Sequence, residues 1–183
     1  MIMLGKILLI GISAVLLSGC SAATYSNKLQ DYQGTDRVGI TFDNRNLDYI
    51  RVYPTTDRCI DVGAHENGYT NNAFGFQTKL NNKALGFPAI PETPTMIREF
   101  WVSAQHNIAV RMIAANGGFT TVTFKPVVGN YYYVTGKYVD AYSPRRVEVY
   151  EVFKTEKGDY DRRLVNDLML KNCGQYALKS PNF

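Results

Sequence analysis

The chain reads as an all-β protein, an antiparallel β-sandwich finished by one short C-terminal helix. Three observations carry that reading. Short segments rich in β-branched and aromatic residues recur along the chain, with apolar side chains at every second position. Turn signals built from Gly, Asn and Pro separate them at the spacing of a sandwich or barrel. The length of 183 residues is one domain's worth, and 45% apolar with 20% charged residues is ordinary globular usage, not that of a disordered chain.

The strands follow in order. Val38, Ile40 and Phe42 alternate with Gly39 and Thr41. Tyr49 to Tyr53 comes next and is stopped by Pro54, which cannot donate to a ladder. Phe74, Phe76, Thr78 and Leu80 share one face of an alternating run, and Asn81-Asn82 turns it into Ala84 to Phe87. Phe100, Val102 and Ala104 oppose Trp101 and Ser103, and Ile108, Val110 and Met112 oppose Ala109, Arg111 and Ile113. Gly117-Gly118 separates that run from Phe119 to Phe124; Tyr131 to Thr135 and Val147 to Val152 complete the series. Near residues 162–172 the period changes. Leu164, Val165, Leu168 and Met169 fall on one helical face, Asp161 stands at a capping position and Gly174 lies just past the end.

The first twenty residues differ from the rest. Lys6 precedes an apolar run of eleven residues, Ile7 to Leu17. A membrane-spanning helix needs about 20 apolar residues, so this run has instead the length of a signal-peptide core. Leu17-Ser18-Gly19-Cys20 follows and resembles the lipobox of bacterial lipoproteins. The resemblance implies transfer of a diacylglyceryl group to the Cys20 thiol, cleavage before that cysteine and acylation of the new amine. Two or more acyl chains anchor a protein stably where one binds only marginally. In such lipoproteins Ser after the cysteine, here Ser21, favours the outer membrane over inner-membrane retention. The alternative is an ordinary secretory signal followed by a chance cysteine. The expected organisation is a signal peptide over 1–19, a lipidated cysteine and flexible tether over 20–36, and the sandwich with its helix over 37–183. A sixteen-residue flexible linker (residues 21–36) reaches about 20–24 Å root-mean-square.

With Cys20 taken by lipid, Cys59 and Cys173 remain. Two cysteines in an oxidising envelope pair. A bridge over so long a loop is worth roughly 4–5 kcal/mol in the chain-entropy model. It would tie the C-terminal helix to the loop after the second strand. A buried thiol at Cys59 with a free thiol at Cys173 is the other arrangement. Neither a CxxC pair nor a nearby histidine points to redox or zinc chemistry.

Arg98 to Ala115 (REFWVSAQHNIAVRMIAA) and Thr123 to Tyr138 (TFKPVVGNYYYVTGKY) resemble small β-sandwich domains of uncharacterised bacterial envelope lipoproteins. The likeness covers about residues 48–153. It implies an immunoglobulin-like or transthyretin-like topology and a non-enzymatic role, and it assigns no functional residue.

Candidate sites are weighed on their chemistry. His65 sits near Asp61 and Glu66, and His106 lies in a turn at Gln105-His106-Asn107. A lone loop histidine is ordinarily solvated, so no metal ligand is expected. No GxSxG, GxxxxGK[ST] or GxGxxG pattern occurs, and no catalytic residue or cofactor is expected. Asp159 and Asp161 fit helix caps better than paired catalytic acids. The long stretch from Ile60 to Ile97 carries Tyr69, Phe74 and Phe87 as a contact surface, although Phe74 and Phe87 also fit a core. Tyr131 and Tyr133 share one strand face, either as a wet tyrosine surface for a partner or as ordinary sheet packing. Arg145 and Arg146 follow Pro144 in a turn, there to meet envelope phosphate or carboxylate groups or to keep a sheet edge from pairing.

The resulting expectation is a membrane-anchored, non-enzymatic lipoprotein at the outer membrane, facing the periplasm. Its partners are the membrane, through the anchor, and an envelope protein or a cell-wall or glycolipid component. A formal charge of +4 is too mild for a nucleic-acid binder. Competing expectations are an accessory subunit of an envelope secretion, transport or assembly complex, and a surface-held inhibitor of a foreign enzyme.

Overall fold

The computed structural model describes residues 27–43, 49–70, 82–91, 93–94, 97–114, 118–137 and 146–174. Within them lie nine strands: β1 (Arg37–Asp43), β2 (Tyr49–Thr56), β3 (Gly68–Tyr69), β4 (Ile97–Ser103), β5 (Asn107–Ile113), β6 (Phe119–Phe124), β7 (Tyr131–Lys137), β8 (Arg146–Lys154) and β9 (Tyr160–Leu164). They form a five-stranded sheet, β4-β1-β7-β8-β9, and a four-stranded sheet, β3-β2-β5-β6. The all-β sandwich is therefore present. Its pairs are antiparallel except β1 with β7, which run parallel from Gly39↔Tyr131 to Phe42↔Val134.

Alternation makes the core. Val38, Ile40 and Phe42 of β1 point between the sheets and meet Ile50, Val52, Ile108, Val110 and Met112 of the second sheet. Each of these is at most 3% exposed. Burying a side chain of this kind contributes about 1.5–3 kcal/mol. Tyr132 also faces inward; its ring packs on Phe124 at 4.8 Å, and its hydroxyl accepts the Val127 N–H at 3.0 Å. Pro54 does not end β2. The register shifts between Tyr53 and Thr56, and a proline without an N–H is accommodated at such an irregularity.

The outer face of the five-stranded sheet carries a second apolar layer. Gly39, between Trp101 and Tyr131, leaves the room that Phe87 fills, at 4.6 Å from the Trp101 ring and 5.2 Å from Tyr131. A Cβ on Gly39 would meet Tyr131 at 2.6 Å and Phe87 at 2.9 Å. Phe87 is held there by Glu99. One carboxylate oxygen of this buried side chain accepts the backbone N–H groups of Leu85, Gly86 (2.9 Å) and Phe87 (3.3 Å). Gly86 has φ +82°, a conformation that costs glycine little. Ala84 to Phe87, expected as a strand, is thus a clamped loop whose one ladder contact is the Lys83 bridge to Arg98.

The tether expected over residues 20–36 is corrected in its second half. From Asn27 onward the chain packs on the sandwich. Tyr69 of β3 exchanges backbone bonds with Asn27 and Leu29, both 2.8 Å, and Leu29 enters the core at 6% exposure. The strap then crosses to β4. Asp31 accepts the Trp101 N–H at 3.0 Å, and the Tyr32 N–H donates to the Trp101 carbonyl at 2.9 Å.

The helix expected over residues 162–172 is also corrected. Tyr160–Leu164 is strand β9, paired with β8 through a turn that has Gly158 at φ +90°. The chain beyond it is a second strap. Val165 N–H bonds the Val149 carbonyl at 3.0 Å and Leu168 N–H bonds that of Thr123 at 2.7 Å. The supposed helical face is not a buried one, since Met169 is 81% exposed. The N–H groups of Val165 and Leu168 thus serve sheet edges and do not donate in an i to i−4 ladder.

This strap ends on the outer face of β2 and β5, where Cys59 and Cys173 form the expected disulfide, with Cα atoms 5.0 Å apart. Beneath it Tyr53, Ile60 and Ala109 are buried, with Val62 and Leu170 packed against them. Arg51 and Arg111 stand directly opposite one another in the ladder, an unfavourable pairing of like charges. Both guanidinium groups lie over the Tyr53 ring, at 5.3 and 5.2 Å. Arg111 also donates to Asn172 of the strap at 2.7 Å and to Thr121 at 3.0 Å. Burial lowers the Arg111 pKa from its ordinary value.

Two stability outcomes follow. Glu99→Ala should lower the unfolding free energy by about 2–4 kcal/mol, because buried N–H groups lose a charged acceptor. Urea titration followed by Trp101 fluorescence checks it, and a wild-type midpoint would refute the clamp. The paired variant Cys59→Ala, Cys173→Ala should lose up to roughly 5 kcal/mol, seen as a lower thermal midpoint that reductant no longer changes.

Candidate functional site

One end of the sandwich holds a cleft of about 820 Å³. It is bounded by the N-terminal strap (Asn27 to Gly34), the end of β2 at Pro54 and Thr55, the turn at residues 65–67, and the β4–β5 connection. The strap forms this wall because its two legs lie on the edges of different sheets, so the space between the sheets opens beneath it.

Tyr32 organises the strap side. Its hydroxyl donates to Asp36 Oδ1 at 2.9 Å and accepts from Gln105 Nε2 at 3.2 Å. A Cβ on Gly34 would lie 2.4 Å from the Tyr32 ring, so the ring folds over a position that glycine leaves clear. The hydrogen bond to Asp36 raises the Tyr32 pKa above its usual value. The Gln105 amide, and then the Tyr32 phenol, hold the Asp36 carboxyl below the ordinary carboxylate value.

The opposite side is built by β2, the following turn and β5. His106 Nδ1 lies 2.8 Å from Asp57 Oδ1, and Asn107 Nδ2 donates to the Asp57 carbonyl at 3.2 Å. Asn67, only 2% exposed, donates from Nδ2 to the Asp61 carbonyl at 2.8 Å. Its Oδ1 has no hydrogen-bond partner among the described residues. Asp61 Oδ1 accepts the Gly63 N–H at 2.9 Å and shapes that turn. His65, exposed, and His106 thus line one cleft although forty-one positions separate them in the chain. Among the described residues no three His, Cys, Asp or Glu side chains gather as a metal site.

The expected contact residues are scattered. Phe87 and Tyr133 are buried, so of the two readings of those positions, contact surface or packing, the structure has packing. The clamp of Glu99 on the loop explains Phe87. Tyr133 joins Ile90 and Val152 in a small cluster, with Tyr131 and Tyr150 packed against it. The Tyr150 hydroxyl donates to Glu148 at 2.5 Å, and burial together with that bond pushes its pKa up to about 12. Tyr69 is half-buried on β3 beside Tyr49, 6.4 Å between rings, and Arg51. Arg146 is exposed at the start of β8, on a separate groove of about 490 Å³. Cys20, Phe74 and Arg145 lie outside the described residues.

Sequence reasoning passed over Tyr32, Asp57, Asn67 and Gln105. The one available signal was Tyr32 within a segment otherwise polar enough to read as linker.

The network carries a pH prediction. A depressed carboxyl pKa contributes stability that is present above the unfolded value and lost as pH falls through the folded one. Gln105→Ala should move the Asp36 pKa upward toward its ordinary value, read by carbon-detected NMR titration, while the sheet amides stay in place. An unchanged Asp36 titration would remove Gln105 from the network. No protein-family model, curated protein or solved structure matches the chain.

Proposed function

We propose that the chain is a lipid-anchored lipoprotein of the bacterial envelope, held at the outer membrane and facing the periplasm, whose sandwich binds an envelope component without turning it over. The end cleft is the observation that carries this reading: it is preshaped, lined by both polar and apolar groups, and walled by the segment that leads back toward Cys20. Its side chains are tied in place, Tyr32 by Asp36 and Gln105, and His106 by Asp57. Fixed polar groups around a cleft suit recognition, since little side-chain entropy is lost on binding.

The anchor supports the same reading by its length. Cys20 and Asn27 are seven residues apart, a span of at most about 25 Å when fully extended. An acylated Cys20 would therefore keep the cleft rim close to the bilayer, whereas a sixteen-residue tether at full extension would reach about 58 Å.

Feeding labelled palmitate to cells tests the anchor. The wild-type protein should take up label and sediment with membranes, and Cys20→Ala should lose both properties. Label retained by that variant would overturn lipidation at this residue.

A further inference from the structure

We propose that the end cleft takes a neutral oligosaccharide of two or three rings. The inference rests on the reading of this cleft as the binding site and adds the chemical class of its ligand. The volume, about 820 Å³, lies within the roughly 300–1,000 Å³ usual for small-molecule sites.

The hydrogen-bonding capacity of the wall narrows the chemistry. Three glutamine amides on it direct Nε2 to protein oxygens: Gln30 to the Lys28 carbonyl at 3.1 Å, Gln33 to the Asp31 carbonyl at 2.8 Å, and Gln105 to the Tyr32 hydroxyl at 3.2 Å. Asn67 does the same with Nδ2 and leaves Oδ1 buried without a partner among the described residues. Each glutamine amide places one N–H on the protein and keeps a second N–H and a carbonyl oxygen for a ligand. The cleft therefore suits a ligand whose groups both donate and accept, as hydroxyl groups do.

Charge argues the same way. Among the described residues Lys28 is the lysine or arginine of this wall, and Asp31 and Glu66 are its acids. Asp31 is already bound to Lys83 at 2.6 Å. Such a wall lacks the clustered guanidinium and ammonium groups that phosphate or carboxylate ligands need. The Tyr32 ring, set over Gly34 and fixed through its hydroxyl, supplies an apolar surface beside the polar groups, the combination that the faces and edges of a sugar ring require.

Two envelope sources share this chemistry: the glycan strands of the cell wall and the neutral sugars of glycolipids. The test uses the whole chain with its anchor, isotopically labelled, in zwitterionic micelles. Chitotriose, in its neutral tri-N-acetylated form, and maltotriose are added in separate NMR titrations to millimolar concentration. Shifts should cluster on Tyr32, Asn67, Gln105 and His106. Preference for chitotriose assigns the cell-wall source, and preference for maltotriose the hexose source. Gln105→Ala should weaken binding at least five-fold with the fold intact by circular dichroism. Cleft resonances that ignore both sugars, or that respond more strongly to inorganic phosphate or spermidine, would overturn the proposal. Palmitate labelling is scored separately, so a failed sugar titration with a labelled anchor sinks the ligand class and leaves the lipoprotein reading standing.

Discussion

A two-sheet sandwich has four edges, and each presents a row of backbone donors and acceptors that must find partners. Much of this structure answers that constraint. The β3 edge is met by Asn27 to Leu29, the β4 edge by Tyr32 and Lys83, and the β6 edge by Leu168. Strand β9 extends the larger sheet by five residues beyond β8 and carries Asp161, Arg162 and Arg163, charges that suit an outer strand. Both straps leave their sheet edges to cross between layers, and everything distinctive about the surface follows from where they go. One walls the cleft; the other roofs Tyr53 and Arg111 and ends at the disulfide.

The layers outside the sandwich rest on polar anchors more than on apolar area. Glu99 gathers three successive N–H groups and so places Phe87. Asp31 ties the N-terminal strap to Trp101 and Lys83. Asp167 accepts the Thr123 N–H at 3.0 Å and aligns the C-terminal strap with β6. In each case a carboxylate, which carries no N–H of its own to satisfy, completes a sheet edge or loop that the backbone alone would leave open.

The strands of the sandwich were legible because their information is local. Alternation at Val38, Ile40 and Phe42, or at Ile108, Val110 and Met112, states which side chains face the core. The cysteine pair was legible by elimination, once Cys20 was assigned to lipid. The C-terminal segment misled because Leu164, Val165, Leu168 and Met169 have helical spacing, while the competing demand came from Val149 and Thr123, distant in the chain. Strand β3 has two residues, too few for any period to register. The cleft was invisible for the same reason as the straps. Tyr32, Asn67 and Gln105 meet only after both sheets have formed, and none stands in a motif.

The N-terminal strap also sets how the domain would bear tension. A chain held at Cys20 and pulled from its far side takes the load first at Asn27, where two backbone hydrogen bonds to Tyr69 stand ahead of the Leu29 side chain and the Asp31 carboxylate. Strand β1, locked between β4 and β7, lies behind them. The strap is the weak link in that series. Its release would lengthen the leash by about 35 Å for ten residues, from Asn27 to Asp36, while the sandwich stays shut. The same slip would strip one wall from the cleft, so grip on a ligand and strain on the anchor would oppose each other through a single stretch of chain.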